Sequence, residues 1–324
     1  MNREHLEKPL TKELKTISGL NCKVDERLAR YTSMKVGGPA DFFIDVQSRA
    51  SLAPLLGALS RHGVPFYLLG RGSNVLVSDL GVRGAVLRLG AEFRGIEWQE
   101  GRNEARVTLG AAYPMARLAR EAMVRGYTGL EFAEGIPGSV GGALVMNAGA
   151  YGSEMAKVVE RVEGVTLQGQ PVDFTRQDLV FSYRNARLPL ETVVTRVQIR
   201  LGKGDAGEVS LKVRELVQRR KRNQPSGYPN AGSMFRNPPG DFAGRLIEAA
   251  GLKGKKIGKA GISERQANFI VNLVGAKAEE VRRLMEMAGA MVKRRCGVQL
   301  EPEVQFLGEW KVRSAERKVR SHSR

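Results

Sequence analysis

The chain has 324 residues, 42% of them hydrophobic and 27% charged; that exceeds what one core usually holds and excludes a disordered composition. Its formal net charge of +18 leaves nucleic acid, an anionic surface or phosphate-bearing small molecules as partners. No run reaches the roughly 18 uninterrupted apolar residues of a membrane span, and Cys22, Cys296, His5, His62 and His322 lie too far apart to predict a metal site.

Residues 1–19 read as a charged leader with one short helix, lacking the apolar region and cleavage site of a secretory signal, so a cytoplasmic location is expected. Residues 20–90 alternate between a strand over 40–46, a helix over 48–62, and strands over 65–69, 75–77 and 84–89. Ser48 is the expected helix cap and Gly63 the stop. That order predicts a small α/β unit. In residues 91–203 strands over 105–109, 158–167 and 192–201 outnumber the one clear helix, over 113–125, whose Met115, Leu118, Ala119 and Ala122 share a face.

Residues 204–310 form the expected third unit. A helix over 206–223 carries Val209, Val213, Leu216 and Val217 on one face. A turn-rich segment over 224–233 follows, then helices near 241–250 and 277–295 and strands over 269–272 and 304–307. Residues 311–324 are a basic tail expected to be disordered. The fold class is α+β. The charge is concentrated in this tail and in Arg219-Arg-Lys-Arg222, aromatics are only 6%, and no zinc finger or RNA-binding aromatic motif occurs. Nucleic acid therefore rests on charge alone and is not expected.

Two segments hold more glycine than a turn requires. In Leu68-Leu-Gly70-Arg71-Gly72-Ser73-Asn74-Val75 a strand runs into glycines that let the backbone approach a ligand, with Ser73 and successive N–H groups able to meet phosphate oxygens. Val75 replaces the third glycine of a dinucleotide fingerprint and no P-loop occurs, so a tight β-turn is the competing reading. The second segment runs Gly135-Ile136-Pro137-Gly138-Ser139-Val-Gly141-Gly142-Ala-Leu-Val-Met-Asn147-Ala-Gly149-Ala-Tyr-Gly152. Its small residues would clear a long surface for a large flat cofactor, and its embedded Ala-Leu-Val-Met argues against a plain flexible loop.

These segments, followed by Ser182-Tyr-Arg184, Ala231-Gly-Ser-Met-Phe-Arg-Asn-Pro238, Ala243-Gly-Arg-Leu-Ile-Glu-Ala-Ala-Gly251 and Leu300-Glu-Pro-Glu-Val304, resemble the UDP-N-acetylenolpyruvoylglucosamine reductases (MurB). The likeness spans roughly residues 20–308 in family order. It implies a vanillyl-alcohol-oxidase (PCMH-type) fold in which two subdomains clasp FAD and a third domain closes over the substrate. It also implies a reaction. NADPH reduces FAD and leaves; the UDP-sugar then receives hydride on its enolpyruvyl group and a proton at the adjacent carbon, giving UDP-N-acetylmuramate for peptidoglycan. None of the histidines lies in a glycine motif, so the FAD is expected to be non-covalent, unlike that of relatives linked through histidine. The expected partners are the UDP-sugar and NADPH, and the expected state is a monomer.

The resemblance also implies roles. Ser233 resembles the proton donor and Arg184 the arginine that holds the substrate carboxylate and the developing enolate; Glu303 resembles the third catalytic residue. A carboxylate beside an enolate opposes it, so Glu303 is expected to have a raised pKa or close coupling to Arg184. Lys221 and Asn237 are candidates for the substrate, although any of the basic neighbours of Lys221 could point inward. The cofactor is expected on Gly70 to Asn74 and Gly135 to Gly142, with Asn147, Gly149, Thr32, Lys35 and Gly37 alongside. Two departures stand out. Only residues 185–191 separate Arg184 from the next strand, which leaves no room for the tyrosine-bearing loop of some family members. Gln266 stands where relatives often have histidine and is assigned no role.

Overall fold

The computed structural model describes residues 3–310; the basic tail at 311–324 lies outside them. The first unit contains α1 (Arg3–Leu14), β1 (Leu20–Arg27), β2 (Pro39–Val46), α2 (Leu52–Arg61), β3 (Phe66–Leu68), β4 (Val75–Val77) and β5 (Val82–Leu89). Its sheet runs β1-β2-β5-β3, with β2 and β3 parallel to β5 and β1 antiparallel. The consecutive apolar run Phe42, Phe43 and Ile44 is buried on both faces, as a parallel central strand requires. Leu52, Leu55, Leu56 and Leu59 of α2 cover one face, and Leu10 and Leu14 of α1 join that core. The segment expected as a leader is thus packed.

The second unit begins with β6 (Ile96–Glu100), β7 (Glu104–Gly110), α3 (Met115–Val124), β8 (Tyr127–Thr128) and α4 (Val140–Val145). It continues through β9 (Gly149–Ala150), β10 (Ser153–Glu154), β11 (Val159–Thr166), β12 (Pro171–Thr175), β13 (Val180–Ser182), β14 (Asn185–Arg187) and β15 (Thr192–Lys203). An antiparallel sheet in the order β12-β11-β15-β7-β6 carries α3 on one face, where Met115, Leu118, Ala119 and Ala122 are buried as their spacing predicts. The Gly-rich stretch is not all loop, because α4 forms inside it. β14 and β15 are separated only by residues 188–191, so the hairpin carries no inserted loop.

The third unit holds α5 (Ala206–Asn223), β16 (Asn230–Ser233), α6 (Ala243–Ala249), β17 (Lys256–Ile257), β18 (Ala260–Ile262), β19 (Phe269–Asn272), α7 (Ala278–Cys296) and β20 (Gln305–Leu307). The sheet order is β16-β19-β18-β17, with α6 and α7 packed on it through Leu246, Ile247, Val281, Leu284 and Val292. α5 packs instead on α3 of the second unit. β20 leaves the third unit and pairs in parallel with β4, Gln305 opposite Val75. Glycine motif and C-terminal strand therefore share one ladder.

A second tie fixes the same seam. The Asp79 carboxylate accepts from the Ala278 and Glu279 N–H groups, each at 2.9 Å, satisfying two donors that the start of α7 leaves open. Asp79→Ala is expected to cost about 1 kcal/mol, as loss of a helix cap does. Urea titration of both proteins would measure it, and an unchanged midpoint would contradict it.

Candidate active site

The two glycine segments face each other. A Cβ built on Gly70 would come 2.9 Å from Ser139 Oγ, and one on Gly138 would come 3.8 Å from Ser73 Oγ. Gly72 is buried with φ +63°, and a side chain there would strike the Tyr31 carbonyl at 2.1 Å, so only glycine fits. Gly70, Arg71, Gly135, Pro137 and Gly142 remain exposed, Ser73 and Asn74 half-buried. Val145 presents an exposed apolar side chain on α4. Ser139 caps α4 by accepting from the Gly142 N–H at 3.3 Å. A cleft of about 250 Å³ lined by Arg71, Pro114, Ala116 and Gly135 to Gly138 lies between the segments.

Other residues expected at the cofactor also have partners within the protein. Thr32 is buried and donates to the Val36 carbonyl at 3.0 Å; Lys35, left-handed at φ +59°, points its Nζ to the Arg30 carbonyl at 3.4 Å. Gly37 packs on Val77, Gly141 on Ala111, and Gly149 on Glu154 across the β9–β10 pair. Asn147, fully buried, donates to the Ser182 carbonyl at 3.1 Å and accepts from the Ala156 N–H at 3.0 Å. Apart from Lys35, which is exposed, their side chains, or the space a side chain would need, are taken up by internal contacts.

That Asn147 contact reaches the catalytic candidates. Ser182 pairs with Asn185, so Tyr183 and Arg184 form the two-residue turn of the β13–β14 hairpin. Arg184 sits at φ +57°, an unfavourable conformation for a long side chain and the kind held where geometry matters. Its guanidinium lies 4.9 Å from the Tyr183 ring centroid, and its Nε donates to Glu303 Oε1 at 2.8 Å. Both side chains are largely buried, 22% and 14% exposed, so the pair is strong but costly to desolvate.

Glu303 is held by its backbone. Its N–H donates to the Met234 carbonyl at 2.9 Å, and its carbonyl accepts from Asn74 Nδ2 at 3.1 Å. Met234 follows Ser233, the last residue of β16, so Ser233 and Glu303 lie on adjoining segments. Asn268 fixes that stretch: its Oδ1 accepts from the Phe235 N–H at 2.9 Å and its Nδ2 donates to the Phe235 carbonyl at 2.8 Å. Ser233, Glu303, Arg184 and Asn74 thus converge from four chain segments.

Burial pushes the Glu303 carboxyl above its ordinary range, and the cations Arg184 and Arg236 only partly pull it back. The folded protein then holds this proton more tightly than the unfolded chain does. Glu303 costs no stability below the unfolded pKa, and its cost grows as pH rises through the folded value. Glu303→Gln, neutral throughout, is expected to match the native protein in Tm near about pH 4 and exceed it at about pH 8. A Tm difference that shrinks as pH rises would contradict this sign.

The substrate candidates fare differently. Asn237 Oδ1 accepts from the Ala243 N–H at 3.1 Å at the start of α6, leaving its Nδ2 for a ligand. Lys221 is exposed on the last turn of α5, its carbonyl held by Arg265 Nη1 at 2.8 Å. Gln266 lies against Gly244. Sequence reading missed Arg236, whose Nε is buried without an acceptor, and did not single out Arg220, which packs beside Gly135, among the basic neighbours of Lys221. Hydrophobic periodicity could have found Arg220, since it continues the Val209–Val213 face of α5. Among the described residues no cluster of metal-ligating side chains occurs, and no helix is long and apolar enough to cross a membrane.

Comparison with known proteins agrees with this layout. Residues 40–175 match the FAD binding domain family, and residues 224–307 match the C-terminal domain of UDP-N-acetylenolpyruvoylglucosamine reductase. UDP-N-acetylenolpyruvoylglucosamine reductase 2 of Symbiobacterium thermophilum is 45% identical over 284 residues, covering 87% of this chain and 91% of that one. The reductase of Caldanaerobacter subterraneus subsp. tengcongensis is 44% identical over 287 residues, 88% and 93% of the two chains. The crystal structure of the reductase from Thermus caldophilus aligns with a TM-score of 0.76 at 37% identity, covering 89% of this chain and 98% of that one. The expected α+β flavoprotein fold is the one these matches share, and the chain belongs to the UDP-N-acetylenolpyruvoylglucosamine reductase family.

Proposed function

We propose that the protein reduces the enolpyruvyl ether of UDP-N-acetylglucosamine enolpyruvate to UDP-N-acetylmuramate, using NADPH through a non-covalent FAD, in peptidoglycan precursor synthesis. The observation that carries this reading is the Arg184–Glu303 pair beside Ser233, set where the third unit meets the glycine segments. We take residues 20–90 and 91–203 as the two cofactor units and 204–310 as the substrate unit. We take a cytoplasmic monomer as the working form.

The residues fit the cofactor. Glycines whose side chains would collide, an exposed apolar Val145, and half-buried Ser73 and Asn74 supply a flat surface with polar groups at one end. A flavin held on that surface would supply the redox chemistry, passing a hydride drawn from NADPH to the enolpyruvyl methylene carbon. The neighbouring carbon then carries enolate character shared with its carboxylate. Arg184, its Nη atoms outside the bond to Glu303, binds that carboxylate and stabilises the charge growing on it. Ser233 Oγ gives its proton to the neighbouring carbon and regains one from solvent. Glu303 orients Arg184 through the bond to its Nε, and its pairing with that guanidinium offsets the charge it would otherwise set against the enolate.

Purified protein is expected to be yellow, and acid precipitation should leave all flavin in the supernatant. Colourless protein that binds no added FAD would overturn the reading; flavin retained in the pellet would overturn its non-covalent attachment.

A further inference from the structure

Beyond Ser233 the β16–β19 ladder runs out, and a side chain takes its place. Ser233 is paired with Phe269, and the Met234 N–H donates to the Asn268 carbonyl at 2.8 Å. One residue on, the partner is the Asn268 side chain instead. Its Oδ1 accepts from the Phe235 N–H at 2.9 Å, and its Nδ2 donates to the Phe235 carbonyl at 2.8 Å. A primary amide carries an acceptor and donors, so it offers a neighbouring strand the same two groups that a backbone residue would. Its orientation is fixed by these partners, since an N–H only donates and a carbonyl only accepts.

The opposite edge of the same segment carries Glu303. Phe235 and Pro302 form an antiparallel bridge, in which the Arg236 N–H donates to the Glu301 carbonyl and the Glu303 N–H to the Met234 carbonyl, both at 2.9 Å. In that register Phe235 and Pro302 turn their own backbone groups away from each other. Pro302 needs no N–H there, and the two groups of Phe235 are left for Asn268. Residues 233–236 are therefore held on both edges, with Ser233 at the start and Glu303 bonded to the second residue. Asn268 is only 5% exposed, and an apolar residue in its place would leave both Phe235 groups unpaired. It also sits on a braced turn. Ser263 Oγ accepts from the Arg265 and Gln266 N–H groups at 3.2 and 3.4 Å, and the Phe269 N–H donates to the Gln266 carbonyl at 3.0 Å.

We propose that Asn268 is a positioning residue of the second half-reaction, its amide serving as a strand residue that holds Ser233 and Glu303 in one fixed relation. The assignment rests on the roles given to Ser233 and Glu303 above. Asn268 acts through Met234 and Phe235: Ser233 is joined to Met234 by a peptide bond and Glu303 by a hydrogen bond. Misplacing a reacting group by about 1 Å can cost about 10²-fold in rate. The effect should fall on proton delivery to the sugar and spare reduction of the flavin, which uses neither residue.

The test measures both half-reactions of the holoenzyme by stopped flow. Asn268→Asp keeps the side-chain shape and an acceptor for the Phe235 N–H, but sets a second oxygen against the Phe235 carbonyl. Reoxidation by saturating enolpyruvyl UDP-sugar is expected to slow about 10- to 100-fold. Reduction by NADPH, and the sugar concentration giving half the maximal rate, should each stay within about threefold. Asn268→Ser, whose hydroxyl can keep one of the two bonds, should lose about 3- to 10-fold in the same step. Added to Ser233→Ala, Asn268→Asp should cost less than about threefold more, because groups that act as a unit are not additive. Equal slowing of both half-reactions, or losses that multiply in the double variant, would overturn the assignment and leave Asn268 a residue of the fold alone. So would loss of bound flavin from both single variants, or an unchanged reoxidation rate in Asn268→Asp. Native protein whose reduced flavin is not reoxidised by the sugar would fail the underlying reading instead.

Discussion

Replacing Arg184 with Ala is expected to slow reoxidation of the reduced enzyme by the enolpyruvyl UDP-sugar by about 10²- to 10³-fold, while reduction by NADPH stays within about threefold. The substitution removes the group aimed at the carboxylate where charge develops, and it also strands a buried partner. Without the guanidinium, Glu303 keeps only Arg236 against the burial that already pushes its carboxyl upward. It would then hold its proton to still higher pH, so stability should fall less than the loss of an ion pair suggests. Arg184→Lys keeps the charge but not the planar fork, nor the bond from Nε, and should recover only a small part of the rate. Stopped-flow measurement of the two half-reactions separates these effects; equal slowing of both would contradict the role of Arg184 in the second step.

Ser233→Ala is the second large effect. A positioned general acid contributes typically about 10²- to 10⁴-fold, and the loss should again fall on sugar-dependent reoxidation alone. Here the fold should be indifferent. Ser233 Oγ makes no hydrogen bond among the described residues, and its backbone is fixed by pairing with Phe269 and by Asn268 acting on the next two residues. A stability change beyond about 0.5 kcal/mol would mean that the hydroxyl is structural after all. Sugar affinity should hardly move, because protonation belongs to the transition state and not to binding.

Much of the fold was legible because periodicity reports burial. The face of α3 is buried as spaced, α5 spans the residues its pattern gives, and β19 matches its apolar run. The short elements were not legible. α4 forms inside a glycine stretch through the Ser139 cap, and β16 lies in a segment whose Gly and Pro content reads as turn. Both depend on tertiary partners that no local pattern reveals.

The site divides in the same way. Motif order marked Ser233, Arg184 and Glu303 singly, and the structure brings their segments together through contacts distant in sequence, such as Asn74 to Glu303 and Asn147 to Ser182. What motif order could not show is which of the motif glycines are closely approached by another segment of the chain. Gly149, against Ser153 and Glu154, and Gly141, against Ala111, are two of these. Nor could it show which of four adjacent cations turns inward. All four carry the same charge, and the helical phase set by Val209 and Val213 separates Arg220 from Lys221.

The most direct test follows one flavin spectrum through both half-reactions without oxygen. The protein is reduced with one equivalent of NADPH, the oxidised nucleotide is removed, and UDP-N-acetylglucosamine enolpyruvate is added. The oxidised flavin band should bleach with NADPH and return with the sugar, one UDP-N-acetylmuramate forming per flavin, and in Ser233→Ala it should bleach but fail to return. A native enzyme whose reduced flavin is untouched by the sugar yet reoxidised by oxygen alone would contradict the account.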